Sequence, residues 1–120
     1  MAKRIAVIDD DRDFVKLVTI VLEREGYEVL PALGSLRAYD IVKQGRPNLI
    51  MLDIMMPGRS GWELLDIFKM DPETQGIPLI ISTGVRAATA RLAGTKYDVL
   101  KKPFNNEDLI AMVRRMIGEP

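Results

Sequence analysis

Five short aliphatic segments recur along the chain, and most are separated by stretches with the periodicity of a helix. The segments are RIAVI at 4–8, YEVL at 27–30, NLIML at 48–52, PLIIS at 78–82 and YDVL at 97–100. Three of them are nearly continuous in apolar character, which is typical of strands covered on both faces. Strands that alternate with helices in this way predict an α/β fold, with a parallel sheet, helices on both faces and right-handed crossovers.

The stretches between these segments carry apolar residues at helical spacing. The clearest predicted helix is 12–25, because Gly26 follows it where a C-terminal cap belongs. Near 35–44 a second helix is predicted, with Leu36, Tyr39 and Val42 on its inner face. The other three predicted helices lie around 62–68, near 85–93, and from Asn105 or Asn106 onward.

The composition limits the chemistry that this fold can perform. The chain has no cysteine and no histidine, which excludes disulfides, thiolate catalysis, imidazole acid–base chemistry and the usual zinc sites. Its 17 basic residues balance 17 acidic ones, so no long-range field favours nucleic acid or an anionic membrane as a partner. The apolar runs are too short to span a bilayer and the N-terminus lacks a signal-peptide core, so we expect a cytoplasmic domain.

Polar residues follow four of the five predicted strands. They are Asp9, Asp10 and Asp11 after the first strand, Asp53 after the third, Ser82 and Thr83 after the fourth, and Lys101 and Lys102 after the fifth. Binding sites of open parallel sheets lie outside the carboxyl ends of the strands, so we expect these side chains to converge. Three close carboxylates repel one another unless a cation lies among them. A hard divalent cation such as Mg²⁺ prefers such oxygen ligands.

This set of residues can support phosphoryl chemistry. With a cation bound, one carboxylate can stay ionised as a nucleophile toward phosphorus and form an aspartyl phosphate. A lysine would then neutralise one phosphoryl oxygen, and a hydroxyl would hydrogen-bond another. Each residue also has a simpler interpretation: Asp11 as a helix cap, Asp53 as a turn residue, Thr83 as a loop hydrogen-bonding group and Lys102 as surface charge. Their joint arrival at four strand ends favours the functional interpretation.

Four motifs carry a resemblance to a known family. They are VIDDD at 7–11, LDIMMPGRSG at 52–61, STG at 82–84 and KKPF at 101–104. With these motifs the chain resembles, from end to end, the receiver domain of two-component response regulators, including the chemotaxis regulators. The resemblance implies a flavodoxin-like, doubly wound parallel sheet of five strands in the order 2-1-3-4-5, with five helices, in a single domain over residues 1–120.

The resemblance also implies a role for each candidate site residue. Asp53 would be the phosphoacceptor, Thr83 the switch hydroxyl and Lys102 the amine that contacts the phosphoryl group. The bond from Lys102 to Pro103 would be cis, as in the family. The implied ligands of Mg²⁺ are Asp9, Asp10, Asp53 and the backbone carbonyl of Met55, with Asp10 the more direct carboxylate ligand.

One position departs from the family pattern. Members often carry an aromatic residue three positions before the lysine, and Val99 occupies that position here. Tyr97 lies two residues earlier on the same strand face. An aromatic switch at this strand is therefore not implied by the motif.

The implied function is a signalling switch and not an enzyme. A sensor histidine kinase or phosphotransfer protein would phosphorylate Asp53, and a population shift would alter the surface that meets a downstream protein or output domain. The resemblance implies no direct contact of this domain with nucleic acid or membrane. One alternative is a magnesium-dependent phosphatase with an Asp nucleophile, but it usually needs a second Asp where Met55 stands. The other is a receiver-like interaction module that is not phosphorylated, yet such modules normally lack part of the site.

Overall fold

The computed structural model describes residues 2–55, 60–84, 94–95 and 97–120. Five strands and four helices alternate within these residues, and the helix predicted near 85–93 lies outside them. The described elements are β1 (Arg4–Asp9), α1 (Arg12–Arg24), β2 (Glu28–Leu33), α2 (Ala38–Gly45), β3 (Leu49–Asp53), α3 (Gly61–Met70), β4 (Leu79–Thr83), β5 (Asp98–Lys101) and α4 (Asn106–Ile117).

All five strands are parallel, in the order β2-β1-β3-β4-β5. This confirms the predicted class and strand order. The order reverses between β1 and β3, because the chain moves outward to β2 and then returns to the other side of β1. Asp9 and Asp53 end these two central strands, so both lie at the crevice where open sheets bind ligands.

Two apolar layers cover the two faces of the sheet. On one face α1 and α4 bury Val18, Leu22, Leu109 and Val113 against Val7, Met51 and Ile80. On the other face α2 and α3 bury Val42, Leu64 and Phe68 against Ile50, Leu52 and Ile81. Because successive strand residues face opposite sides, Asp9 and Asp53 continue the rows of Val7 and Met51, on the side of α1 and α4.

The first helix and the last one begin at side-chain caps. Asp11 caps α1 by accepting a hydrogen bond from the amide of Phe14. Asn105 caps α4 by accepting one from the amide of Asp108 at 2.8 Å, which decides between the two predicted starting residues. No helix in the described part of the chain is long and apolar enough to cross a membrane.

Two details of the predicted elements were wrong. Leu36 is 94% exposed, because Gly34 turns the chain with φ +97° and α2 starts only at Ala38. The turn carries an apolar residue at helical spacing without being helical. Strand β2 also continues through Pro31 to Leu33, past the predicted end. Proline is tolerated there because β2 is an edge strand and needs no outward amide donor.

Candidate functional site

Three carboxylates meet at the carboxyl ends of β1 and β3. One oxygen from each of Asp9, Asp10 and Asp53 lies within 4.8 Å of the other two. Asp9 and Asp53 are buried, whereas Asp10 is exposed, so the cluster is open to solvent on one side. The structure therefore brings together the three acidic residues that the sequence predicted as metal ligands.

The third residue of the Asp9–Asp11 run has a different task. Asp11 caps α1, as its Oδ1 accepts a hydrogen bond from the amide of Phe14 at 3.1 Å. The amide of Asp11 in turn donates to Oδ1 of Asp9 at 3.0 Å. The helix start thus holds the buried carboxylate in place while Asp10 projects at the open side.

Lys102 reaches the cluster from the end of β5. Its Nζ donates to Oδ2 of Asp9 at 2.7 Å, and the two side chains are 24% and 2% exposed. The amide of Lys102 donates to the carbonyl of Thr83 at 2.8 Å, which ties the segment after β5 to the end of β4. The Lys102–Pro103 peptide bond is cis, as predicted.

The ammonium of Lys102 has a second neighbour. It lies over the ring of Phe14, 4.0 Å from the ring centroid. The Phe14 ring also contacts the Phe104 ring edge-to-face, with centroids 5.8 Å apart and planes at 84°. Sequence reasoning placed Phe14 only on the apolar face of the first helix. The available signal was an aromatic residue in the helical turn directly after the carboxyl end of a strand.

Asp53 is held in an environment that disfavours its charge. Its Oδ1 accepts a hydrogen bond from the amide of Met55 at 3.2 Å. Burial, followed by the negative charge of Asp9, nevertheless raises the pKa of Asp53 to about 6. The positive charge of Lys102 and the Met55 amide act in the other direction without cancelling the shift. The carboxyl group of Asp53 is therefore harder to ionise than that of a solvent-exposed aspartate.

Gly61 allows the start of α3 to lie close to the backbone at the end of β3. A Cβ atom at Gly61 would lie 2.4 Å from both the carbonyl oxygen of Asp53 and the Cα of Ile54. The amide of Gly61 donates to the carbonyl of Ile54 at 3.0 Å. Only glycine permits this approach of α3 to the end of β3. Pro57 of the same motif lies outside the described residues, and the side chain of Met55 is 51% exposed.

Two hydroxyl groups end β4 beside the cluster, and both are buried. Ser82 is 1% exposed, pairs in register with Asp53 and follows Ile80 on the side of α1 and α4. Its Oγ has no hydrogen-bond partner in the described part of the chain. Thr83 is fully buried and follows Leu79 and Ile81 in the alternation, toward α2 and α3. The hydroxyl on the sheet side of Asp53 is therefore that of Ser82.

The aromatic residue near β5 belongs to the layer formed by α2 and α3. Tyr97 is partly buried and precedes β5, with the ammonium of Lys69 6.0 Å from its ring centroid. Val99 is partly buried in the same layer. The strand face that could carry an aromatic switch thus points away from the sheet side of Asp53.

Comparison with known families agrees with this geometry. Residues 5–114 match the sequence model of the response regulator receiver domain. The chain belongs to this family, which confirms the predicted resemblance, and it is a phosphoacceptor module of two-component signalling.

Individual relatives are longer than this chain. It is 32% identical over 120 residues to the phosphate regulon transcriptional regulatory protein PhoB of Pseudomonas aeruginosa, covering 98% of this chain and 52% of that protein. It is 34% identical over 117 residues to the DNA-binding dual master transcriptional regulator RpaA of Synechocystis, covering 95% and 48%. The chain thus spans about half the length of these relatives.

Solved structures match over nearly the whole chain. A putative response regulator from Chloroflexus aurantiacus superposes with a TM-score of 0.87 at 26% identity, covering 99% of this chain and 100% of that one. A CheY-like receiver domain protein from Methanospirillum hungatei superposes with a TM-score of 0.83 at 29% identity, covering 98% and 94%. Both similarities agree with the receiver fold.

Proposed function

We propose that Asp53 is the residue of this receiver that accepts the phosphoryl group. Asp9, Asp10, Asp53 and the backbone carbonyl of Met55 would hold the Mg²⁺ ion that supports the reaction. The observation that carries the proposal is the meeting of three carboxylate oxygens within 4.8 Å at the crevice between β1 and β3. Hard oxygen donors in a partly open cluster suit Mg²⁺, which keeps several of its waters.

The charges of the cluster fit a divalent cation. The ammonium of Lys102 pairs with Asp9, so two further carboxylates remain without a cation in contact among the described residues. Burial, and after it the negative charge of Asp9, raises the pKa of Asp53. A bound Mg²⁺ would neutralise the excess negative charge and polarise the phosphoryl oxygens. Asp53 could then stay ionised near neutral pH and act as a nucleophile.

The transfer step needs no proton carrier from the chain. A carboxylate oxygen of Asp53 forms a bond to phosphorus while the bond from phosphorus to the donor atom breaks, and the electron pair of that bond leaves with the donor. The donor atom is a ring nitrogen in a phosphohistidine of a kinase or phosphotransfer protein, and an acetate oxygen in acetyl phosphate. This chemistry is consistent with a chain that contains no histidine and no cysteine.

Two further side chains would respond to the phosphoryl group. Lys102 already lies beside the cluster, and its ammonium can neutralise one phosphoryl oxygen. The hydroxyl of Thr83, at the end of the neighbouring strand, would hydrogen-bond another after rotating toward the site. A population shift that follows these new contacts would change the surface offered to a partner.

The partners follow from the family. We propose a sensor histidine kinase or phosphotransfer protein as the phosphoryl donor, and a downstream protein or an output domain as the recipient of the signal. The relatives named above are DNA-binding and transcriptional regulators of about twice the length, so an output domain that binds DNA is one form this recipient can take. Residues 1–120 would act as one receiver domain, in the cytoplasm, with a signalling and not an enzymatic role.

The proposal is tested by phosphorylation with a small donor. With Mg²⁺ and acetyl phosphate, intact-mass measurement should show the gain of one phosphoryl group in the wild type and none in Asp53→Asn. Asp71→Asn is the matched control, because this aspartate lies outside the cluster and should leave labelling intact. Undiminished labelling of Asp53→Asn would contradict the acceptor assignment. Labelling that persists in excess chelator would contradict the role of the metal.

A further inference from the structure

Lys102 is held by two groups, and the proposed function uses only one of them. Oδ2 of Asp9 accepts its hydrogen bond at 2.7 Å, and the ring of Phe14 lies 4.0 Å from its Nζ. Asp9 is also one of the proposed ligands of the cation. When a cation takes up the charge of Asp9, the attraction between Asp9 and Lys102 weakens. The ring of Phe14 carries no such competing role.

The position of the Phe14 ring is fixed from two directions. The backbone amide of Phe14 donates a hydrogen bond to the capping carboxylate of Asp11, so the backbone of Phe14 belongs to the ordered first turn of α1. Its ring packs edge-to-face on Phe104, which is only two residues after Lys102 in the chain. The aromatic face and the segment that carries the lysine are therefore held together by a direct contact.

The surroundings of Lys102 offer the side chain another place to go. An open cleft of about 520 Å³ lies beside it, lined mainly by apolar residues of α1, α4 and the segment after β5. Phe14 and Leu17 line this cleft from α1, and Leu109 lines it from α4. A lysine released by Asp9 could extend along this cleft toward solvent. An aromatic face at its ammonium opposes that movement because the ring quadrupole attracts a cation.

We propose that Phe14 is a positioning residue for Lys102. Its ring keeps the ammonium at the acidic cluster when Asp9 is engaged by a cation, and so determines how often Lys102 can reach the phosphoryl group. This inference rests on the proposed role of Lys102 at Asp53. The apolar ring of Phe14 supplies no ligand atom to the cation and no reacting group in this scheme, so Phe14 acts through Lys102.

The first test observes the contact without any phosphorylation. Protons above an aromatic ring are shifted upfield in NMR, so the ε-methylene protons of Lys102 should resonate upfield of those of an exposed lysine. The shift should persist when Mg²⁺ is added. It should be retained in Phe14→Tyr and lost in Phe14→Leu. Leu17→Ala, one turn further along α1 in the same cleft, is the control and should retain it.

The second test measures the consequence for the reaction. Phosphorylation by acetyl phosphate should be about three- to tenfold slower in Phe14→Leu than in the wild type, and Phe14→Tyr should restore the rate. In a Lys102→Met background, Phe14→Leu should have no further effect. The Mg²⁺ affinity of Phe14→Leu should stay within about twofold of the wild type, since no metal ligand is changed.

Specific outcomes would overturn the inference. Ordinary chemical shifts for the Lys102 ε protons in the wild type would show that the ring does not hold the ammonium, and this measurement needs no variant to fold. An equal slowing by Phe14→Leu with and without Lys102 would show that Phe14 acts through the fold. A wild type that takes up no phosphoryl group would instead contradict the proposed function, while leaving the NMR result to decide whether the contact exists.

Discussion

Asp53 and Asp71 lie at opposite ends of the sheet, one at the end of β3 and the other after α3, shortly before β4 begins. Burial and the charge of Asp9 raise the pKa of Asp53 to about 6. A hydrogen bond from Tyr39, then one from the amide of Glu73 and one from Lys43, lower the pKa of Asp71 to about 2. The same residue type is destabilised as an anion at one end and stabilised at the other.

Hydrogen bonding accounts for the low pKa of Asp71. The Tyr39 hydroxyl donates to its Oδ2 at 2.7 Å, and Nζ of Lys43 donates to the same oxygen at 2.9 Å. The amide of Glu73 donates to Oδ1 at 2.9 Å. Asp53, by contrast, accepts a hydrogen bond from the amide of Met55 at 3.2 Å and has two carboxylates as neighbours.

Buried hydroxyl groups show the same contrast. Thr74, 2% exposed near Asp71, donates through its Oγ1 to the carbonyl of Phe68 at 2.6 Å. Ser82, 1% exposed next to Asp53, has no partner for its Oγ within the described ranges. One end of the sheet satisfies its polar groups internally and so serves stability. The other end leaves charge and hydrogen-bonding capacity that a cation and a phosphoryl group can satisfy.

The largest expected effect is the response of the carboxyl end to magnesium. A ligand that binds only the folded state at a hundred times its Kd stabilises it by about 2.7 kcal/mol. We expect Mg²⁺ to raise the free energy of unfolding by about this amount in the wild type and in Asp71→Ala. At the same Mg²⁺ concentration the rise in Asp10→Ala should be much smaller. Urea unfolding followed by the fluorescence of Trp62, in α3, measures it. Equal increments in Asp10→Ala and the wild type would contradict the metal site.

The next effect concerns the two aspartates without metal, in the presence of a chelator. The pKa of Asp53 is raised from 3.8 to about 6, so ionisation of this carboxyl group destabilises the folded protein. The free energy of unfolding of the wild type should therefore decline as pH rises through this interval. Asp53→Asn should remove the decline and raise the free energy of unfolding at pH 7 by about 1–2 kcal/mol, allowing for screening at the open edge.

Asp71→Asn should change the free energy of unfolding at pH 7 in the opposite direction, measured by the same urea unfolding in chelator. Its pKa is lowered from 3.8 to about 2, so the stability it contributes is present above pH 3.8 and is lost as pH falls toward 2. The variant should be less stable than the wild type at pH 7 and converge with it in acid. If Asp53→Asn and Asp71→Asn changed the free energy of unfolding at pH 7 in the same direction, the proposed difference between the two aspartates would be contradicted.

The smallest effect is expected for the hydroxyl groups. Thr74→Val removes a buried hydrogen bond and leaves the Phe68 carbonyl without this donor, so it should destabilise the protein by about 1 kcal/mol. Ser82→Ala removes a hydroxyl that has no partner in the described structure, and should change stability by less than about 0.5 kcal/mol in either direction. Thermal and urea unfolding in chelator compare the two. A loss at Ser82 as large as that at Thr74 would show that its hydroxyl is already satisfied.

Most of the fold could be predicted because it depends on local patterns. The aliphatic segments form the five strands, and the described helices lie where the spacing of apolar residues placed them. The errors lie at the ends of elements, where the spacing of apolar residues favours one boundary and the folded structure has another. Pro31 is compatible with β2 only because this strand lies at the edge, and Leu36 has helical spacing but lies in a turn. The strand order that makes β2 an edge is not encoded in the residues next to Pro31, whereas the turn at Leu36 follows from Gly34 two residues before it.

For the candidate site, the sequence predicted the residues but not the contacts between them. Its residue types could be identified from sequence because parallel strands bring their carboxyl ends to one edge, and the structure places Asp9, Asp10, Asp53 and Lys102 there. Contacts across that edge could not be derived in the same way. The Lys102 ammonium lies over Phe14 because of how α1 and the segment after β5 pack, and Ser82 lies beside Asp53 because of the register between β3 and β4.

The sequence by itself determined the parallel α/β architecture, the acidic and basic residues at the strand ends, and the class of chemistry they can support. The helix cap at Asp11 was also suggested by the sequence, and the structure confirms it. Only the tertiary structure decided which aspartate pairs with Lys102 and which carboxyl group is hard to ionise. The physical reason is distance along the chain. Residue types and periodicity are local properties, whereas the Asp9–Lys102 pair joins residues 93 positions apart. Burial and charge at such a site exist only after the strands have been brought side by side.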